Sequence, residues 1–93
     1  MRRKLAKKEK KWLARGLRQI RGSTERQGLL KQIDDLRAVY KCPCGEKTCH
    51  TIHFQNFRRG TSIAIADSMT EDKRMLIVFV NKDTNKLSEL EVI

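Results

Sequence analysis

Proline, cysteine and histidine are nearly missing from this sequence. It has one proline, three cysteines and two histidines, and all six lie between Cys42 and His53. Three cysteines so close together do not read as a disulfide framework, which points to a reduced, cytoplasmic protein. A run of about 18 apolar residues is also missing, which excludes a helical membrane span. Met1-Arg2-Arg3-Lys4 is a basic start, but no apolar stretch follows it, so the expectation is no signal peptide. No Gly-rich phosphate loop is present. Ninety-three residues make one domain with a small core.

Charge is abundant and uneven. The net charge is +10. Residues 1–37 hold 13 Lys/Arg against 4 Asp/Glu, and residues 38–93 hold 8 against 7. Almost the whole surplus therefore sits before Ala38. Such asymmetry points to an acidic partner: nucleic acid, an anionic membrane surface or an acidic protein. A solubilising basic arm without a polyanion partner is the alternative.

Leu5, Trp12, Leu13, Leu17 and Ile20 recur at helical spacing, which predicts an amphipathic helix over about 4–20. Gly16 weakens that helix by roughly 1 kcal/mol relative to Ala. Trp12 on the apolar stripe reads as a packing residue before it reads as a base-stacking one. Arg21-Gly22-Ser23 breaks the pattern, with Gly22 suited to a left-handed helix end. Thr24 and Gln27 have the T-x-x-Q form of a capping box. Leu29, Ile33, Leu36 and Tyr40 then predict a second helix over about 24–38. A helix–turn–helix DNA reader is not supported, because no third helix completes the unit.

From Thr51 on the period changes to two. Ile52 and Phe54 share one face of a short strand, with His53 on the other, solvent face. Ile63 and Ile65 mark a second strand over 62–66, and 67–72 reads as a turn. Arg74–Val80 is apolar on both faces and should be central in its sheet. Leu90 and Val92 alternate with Glu89 and Glu91 in a last strand that forms a hairpin with it, and Asn85 is the candidate left-handed residue between them. The fold class is α+β, an N-terminal helical hairpin on an antiparallel sheet of three to four strands. It is one domain over 1–93, with 1–22 a basic helix or arm and 23–93 the compact core.

The Cys/His segment has the residue types of a structural zinc site. Cys42, Cys44, Cys49 and His50 are the candidate four if 44–50 folds back as a loop. In an extended chain Cys49 and His53 would lie about 13 Å apart at roughly 3.3 Å per residue, so His53 serves as an alternate ligand only if 49–53 makes a helical turn. The C-x-C spacing fits a zinc knuckle less well than C-x₂-C and is poor for a disulfide. Reduced thiols in a tight turn are the metal-free alternative. A nucleophile pair of Cys49 with His50 or His53 lacks a recognisable orienting group or oxyanion hole. Asp34 and Asp35 are neighbours on a helix and so diverge.

Cys42-Pro-Cys-Gly45, the strand Met75–Val80 and Leu87-Ser-Glu-Leu-Glu-Val92 together resemble a loose group of small bacterial domains of unknown function. The resemblance covers about 38–93 and implies the sheet and a cytoplasmic bacterial or phage origin. It implies no activity, and the basic helix over 1–21 has no counterpart in it.

The functional expectation is a non-enzymatic binding protein that meets nucleic-acid phosphates. The candidate contacts are Arg2, Arg3, Lys4, Lys7, Lys8, Lys10, Lys11, Arg15, Arg18 and Arg21, extended by Arg58 and Arg59. The alternative is a protein-interaction or inhibitor module whose basic helix docks on an acidic protein, anchored by Trp12, Leu13 and Leu17. A helix lying on anionic lipid is a further option.

Overall fold

The computed structural model describes residues 3–41, 51–58 and 60–93. Two helices cover one face of a six-stranded antiparallel sheet. The elements run β1 (Arg3–Lys4), α1 (Lys7–Leu17), α2 (Ser23–Gln32), a 3₁₀ turn (Ile33–Asp35), β2 (Arg37–Lys41), β3 (Ile52–Phe54), β4 (Ser62–Met69), β5 (Met75–Asn81) and β6 (Lys86–Val92). Their order across the sheet is β1-β2-β3-β6-β5-β4. The α+β architecture with N-terminal helices is as the sequence suggests. The sheet is wider than three or four strands, because β2 comes from a stretch whose spacing reads as helix and β1 is too short to show a pattern.

α1 forms because its apolar positions gather on one side. Trp12, Leu13, Gly16 and Leu17 are buried against the sheet. At its start the Glu9 carboxylate accepts the Ala6 N–H at 2.7 Å, and this acid suits the positive end of the helix dipole. The helix is shorter than the expected 4–20. Lys4 pairs with Arg37 in the sheet instead, and Gln19 and Ile20 close tighter turns onto Gly16 and Leu17. Gly16 has a role that propensity does not reveal. A Cβ placed there would stand 2.6 Å from Val78 Cγ2, so the glycine lets the helix lie close on β5.

α2 starts at Ser23, with Gly22 as its N-cap at φ −72° and no side-chain cap. The expected left-handed Gly22 and Thr24–Gln27 capping box are therefore not formed. The helix ends at Gln32 rather than near 38. Leu29, Ile33 and Leu36 are buried, but Tyr40, the fourth member of that series, belongs to β2. There β3 supplies backbone partners: Ala38 pairs with Phe54 and Tyr40 with His53. Arg37 N–H also donates to Gln55 Oε1 at 2.7 Å.

Cross-strand pairing assigns the faces. Leu76, Val78 and Val80 sit beside Val92, Leu90 and Leu87 on the inner face, and all six are buried. Leu13 and Leu17 belong to the same core cluster. The basic helix is thus part of the core, not an arm beside a 23–93 unit. β5 is flanked on both sides, as expected, and among the described residues the helices lie on its inner face alone; Ile77 and Phe79 on the outer face are only partly buried. β4 runs through Met69, so Asp67 and Ser68 are in strand, paired with Ile77 and Leu76. Asn85 does adopt the left-handed conformation, at φ 57°.

In the β4–β5 turn the Thr70 hydroxyl donates to the Asp72 carboxylate and accepts the Arg74 N–H. The bond from Thr70 holds the Asp72 carboxyl below its usual value, helped by the charges of Arg74 and Lys8. A carboxylate with a depressed folded-state pKa contributes stability above the ordinary carboxylate pKa and loses it as pH falls through the folded value. Asp72→Asn is therefore expected to melt slightly below the parent at neutral pH. The gap should close in acid, as read by thermal melts over a pH series.

Candidate nucleic-acid interface

The helical repeat decides which cations of α1 reach solvent. Lys7, Lys11 and Arg18 stand at i, i+4 and i+11, which places them on one face. That face is opposite the buried Leu13 and Gly16. All three are exposed, and no ion pair engages them among the described residues. At 1.5 Å per residue the stripe is about 16 Å long, roughly five phosphate steps along one strand of duplex.

The other expected contacts divide. Lys8 is exposed, with its ammonium 4.7 Å from the Trp12 ring centroid. Lys10 pairs with Asp34 at 3.7 Å. Arg15 donates to the Met69 carbonyl at 2.9 Å and lies 3.4 Å from Glu71, so it ties α1 to the end of β4. Lys4, exposed in β1, and Arg21, exposed after α1, flank the stripe in sequence. Arg58 is exposed but belongs to the turn that leads into β4 at Ser62. Arg15 and Glu71 meet at the far end of that strand, beyond Met69. Seven residue steps of strand from Ser62 to Met69, about 23 Å, separate the two ends, so Arg58 does not extend the patch around Lys8 and Arg15. Arg2 and Arg59 lie outside the described residues, as does the side chain of Arg3.

Trp12 is 7% exposed and forms the floor of an open depression with Lys7, Lys8, Lys11 and Glu71. Its ring face is occupied by Lys8. It offers no stacking platform to a base, in keeping with the packing role read from its spacing.

The metal candidates Cys42, Cys44, Cys49 and His50 lie outside the described residues. His53 is within them, and two expectations about it fail. It is in β3, not in a helical turn, so the alternate pairing with Cys49 loses its geometry. It is also buried, at 5% exposure, not on a solvent face. Phe57 from the following turn covers it, with ring centroids 4.1 Å apart, and its Nε2 is 2.9 Å from Glu89 Oε1.

This pair belongs to a small polar cluster that sequence reasoning missed. The Ser62 hydroxyl lies 2.8 Å from that of Ser88 and 3.4 Å from Glu89 Oε2. The direct pairing of His53 with Glu89 across β3 and β6 explains the contact, and no local pattern announces it. Glu89 stands between the serine and the imidazole. His53 therefore does not touch the Ser62 hydroxyl and cannot take its proton, which a nucleophile pair requires. Among the described residues no group of three or more His, Cys, Asp or Glu is placed to hold a metal. No helix among the described residues is long and apolar enough to cross a membrane. No family model matches this chain, and neither a curated protein nor a solved structure matches it.

Proposed function

We propose that this chain is a small, non-enzymatic binding protein that meets nucleic-acid phosphates through the exposed face of α1. The observation that carries this reading is the stripe Lys7, Lys11 and Arg18, aligned opposite the core and unpaired among the described residues. Lys8 borders it, and Lys4 and Arg21 flank it. The contact is electrostatic and sequence-tolerant, because cations on phosphates fix position but do not read bases. The resemblance of 38–93 to small bacterial domains, and with it a cytoplasmic bacterial or phage origin, belongs to the same proposal.

Docking on an acidic protein gains no specific support. Its anchors, Trp12, Leu13 and Leu17, are buried in the chain's own core. A partner on this face would be held by charge alone.

The test is fluorescence anisotropy with labelled duplex DNA, single-stranded DNA and RNA over a salt series. We compare the parent with Lys7→Glu/Lys11→Glu/Arg18→Glu. Reversal is expected to weaken binding at least tenfold at low salt and to flatten the log–log salt slope by about 2.7, at roughly 0.9 per lost phosphate contact. All three positions are exposed, so the fold should survive, as circular dichroism would show. Unchanged affinity in the folded variant would exclude this assignment.

A further inference from the structure

The outer face of the sheet carries no helix, yet it is not polar. Met69 pairs with Met75 across β4 and β5, and Met75 exchanges both backbone hydrogen bonds with Ile93. The three side chains therefore stand in one cross-strand row. They are 53%, 51% and 58% exposed. The next row is Asp67, Ile77 and Glu91, and the half-exposed Phe79 follows on β5. β5 thus presents Met75, Ile77 and Phe79 to the side that carries no helix among the described residues; Phe57 covers that side only farther along the Phe79 row, at His53.

The flanking charges say what fits there. Asp67 and Glu91 stand on either side of Ile77, and no ion pair engages them among the described residues. This is notable in a chain of net charge +10, where cations to pair with are plentiful. The cationic face of α1 lies on the far side of the helix layer and the sheet. A helix is about 10 Å across and the Debye length is about 8 Å at physiological salt, so that charge is screened at the outer face. Two flexible methionines beside two carboxylates form an adaptable apolar surface with a preference for cations. A second copy set on the same patch would bring carboxylates against carboxylates.

We infer that this face docks a cationic amphipathic helix of a partner protein. The helix lies across β4, β5 and β6, which span about 10 Å. Its apolar residues, spaced i and i+4, meet Met69, Met75, Ile77 and Ile93. Its lysines or arginines meet Asp67 and Glu91. The site is distinct from the α1 stripe, so one chain can hold nucleic acid on one side and a basic protein helix on the other.

The probe is a labelled synthetic Leu/Lys amphipathic peptide about five helical turns long, titrated into the full chain. A Leu/Glu peptide of the same pattern serves as control. Saturable binding of the Leu/Lys peptide alone is expected, with shifts of the Met69 and Met75 methyl signals. Met75→Glu/Ile93→Glu and Asp67→Lys/Glu91→Lys should each weaken it at least tenfold. Lys7→Glu/Lys11→Glu/Arg18→Glu should leave it unchanged, which separates this site from the nucleic-acid contact. The inference is overturned by equal binding of the Leu/Glu peptide, by undiminished binding to both outer-face variants, or by no saturable binding. It is equally overturned if the chain self-associates and Met75→Glu abolishes that, because the occupant is then a second copy.

Discussion

A chain that begins at Ser23 is expected to be unfolded. The residues before it include Trp12, Leu13 and Leu17, all buried, and the pairing of β1 with β2. Truncating a buried Leu costs at least about 2 kcal/mol and a buried Trp about 3. Together these rival the roughly 5–15 kcal/mol that holds a whole domain. Val78, Ala66 and their neighbours would also be opened to water. The truncated chain should show no cooperative thermal transition, whereas the charge-reversed Lys7→Glu/Lys11→Glu/Arg18→Glu chain should melt close to the parent. A cooperative melt of 23–93 would mean that the sheet closes its core without α1. The role of the basic helix in binding therefore has to be read from surface substitutions, since deletion removes the fold with the charge.

The helix pattern at Leu13 and Leu17 and the alternation of Leu90 and Val92 were legible because each repeats over a whole element. The strand β5 was legible from its run of apolar residues, and Asn85 from its tolerance of positive φ. β2 was not legible. Leu29, Ile33, Leu36 and Tyr40 fit a helical series, and only pairing with Phe54 and His53 reveals that the last part is strand. β1 has two residues and no pattern at all. Asp67 and Ser68 have turn composition, yet β5 holds them in register. Alternation places His53 opposite Phe54 but does not say which face is covered; the closure by Phe57 and Glu89 is a tertiary fact. The charge of α1 was legible in sum. Which cations are spent on Asp34 and Glu71 depends on elements distant in sequence.

Gly16→Ala is expected to destabilise the protein, although alanine is the better helix former. Propensity alone favours Ala by about 1 kcal/mol. Against that stands a Cβ at 2.6 Å from Val78 Cγ2. Val78 is fully buried and β-branched, so its χ1 is stiff, and the contact can be relieved only by moving α1 or β5. Overpacking of this kind costs about 1–3 kcal/mol. The clash should win, giving a net loss of up to about 2 kcal/mol in denaturant unfolding. A double-mutant cycle identifies the cause. In a Val78→Ala background the clash is gone, and Gly16→Ala should then be neutral or stabilising. Equal losses in both backgrounds would place the effect elsewhere than at Val78.

The position of β6 between β3 and β5 sets the order of assembly. β4, β5 and β6 are joined by short turns and can pair locally, and β2 pairs with β3. Among the described residues the strand pairing that joins the two groups is Ile52 with Leu90 and His53 with Glu89, partners 38 and 36 positions apart. Closing a loop of that length costs about 3 kcal/mol of chain entropy beyond the constant term. Such non-local pairings slow folding. The meander β4–β5–β6 is therefore the early-forming unit; the seating of α1, whose Gly16 lies against Val78 62 positions away, and the β3–β6 seam, with the His53–Glu89 contact across it, are the later, non-local steps.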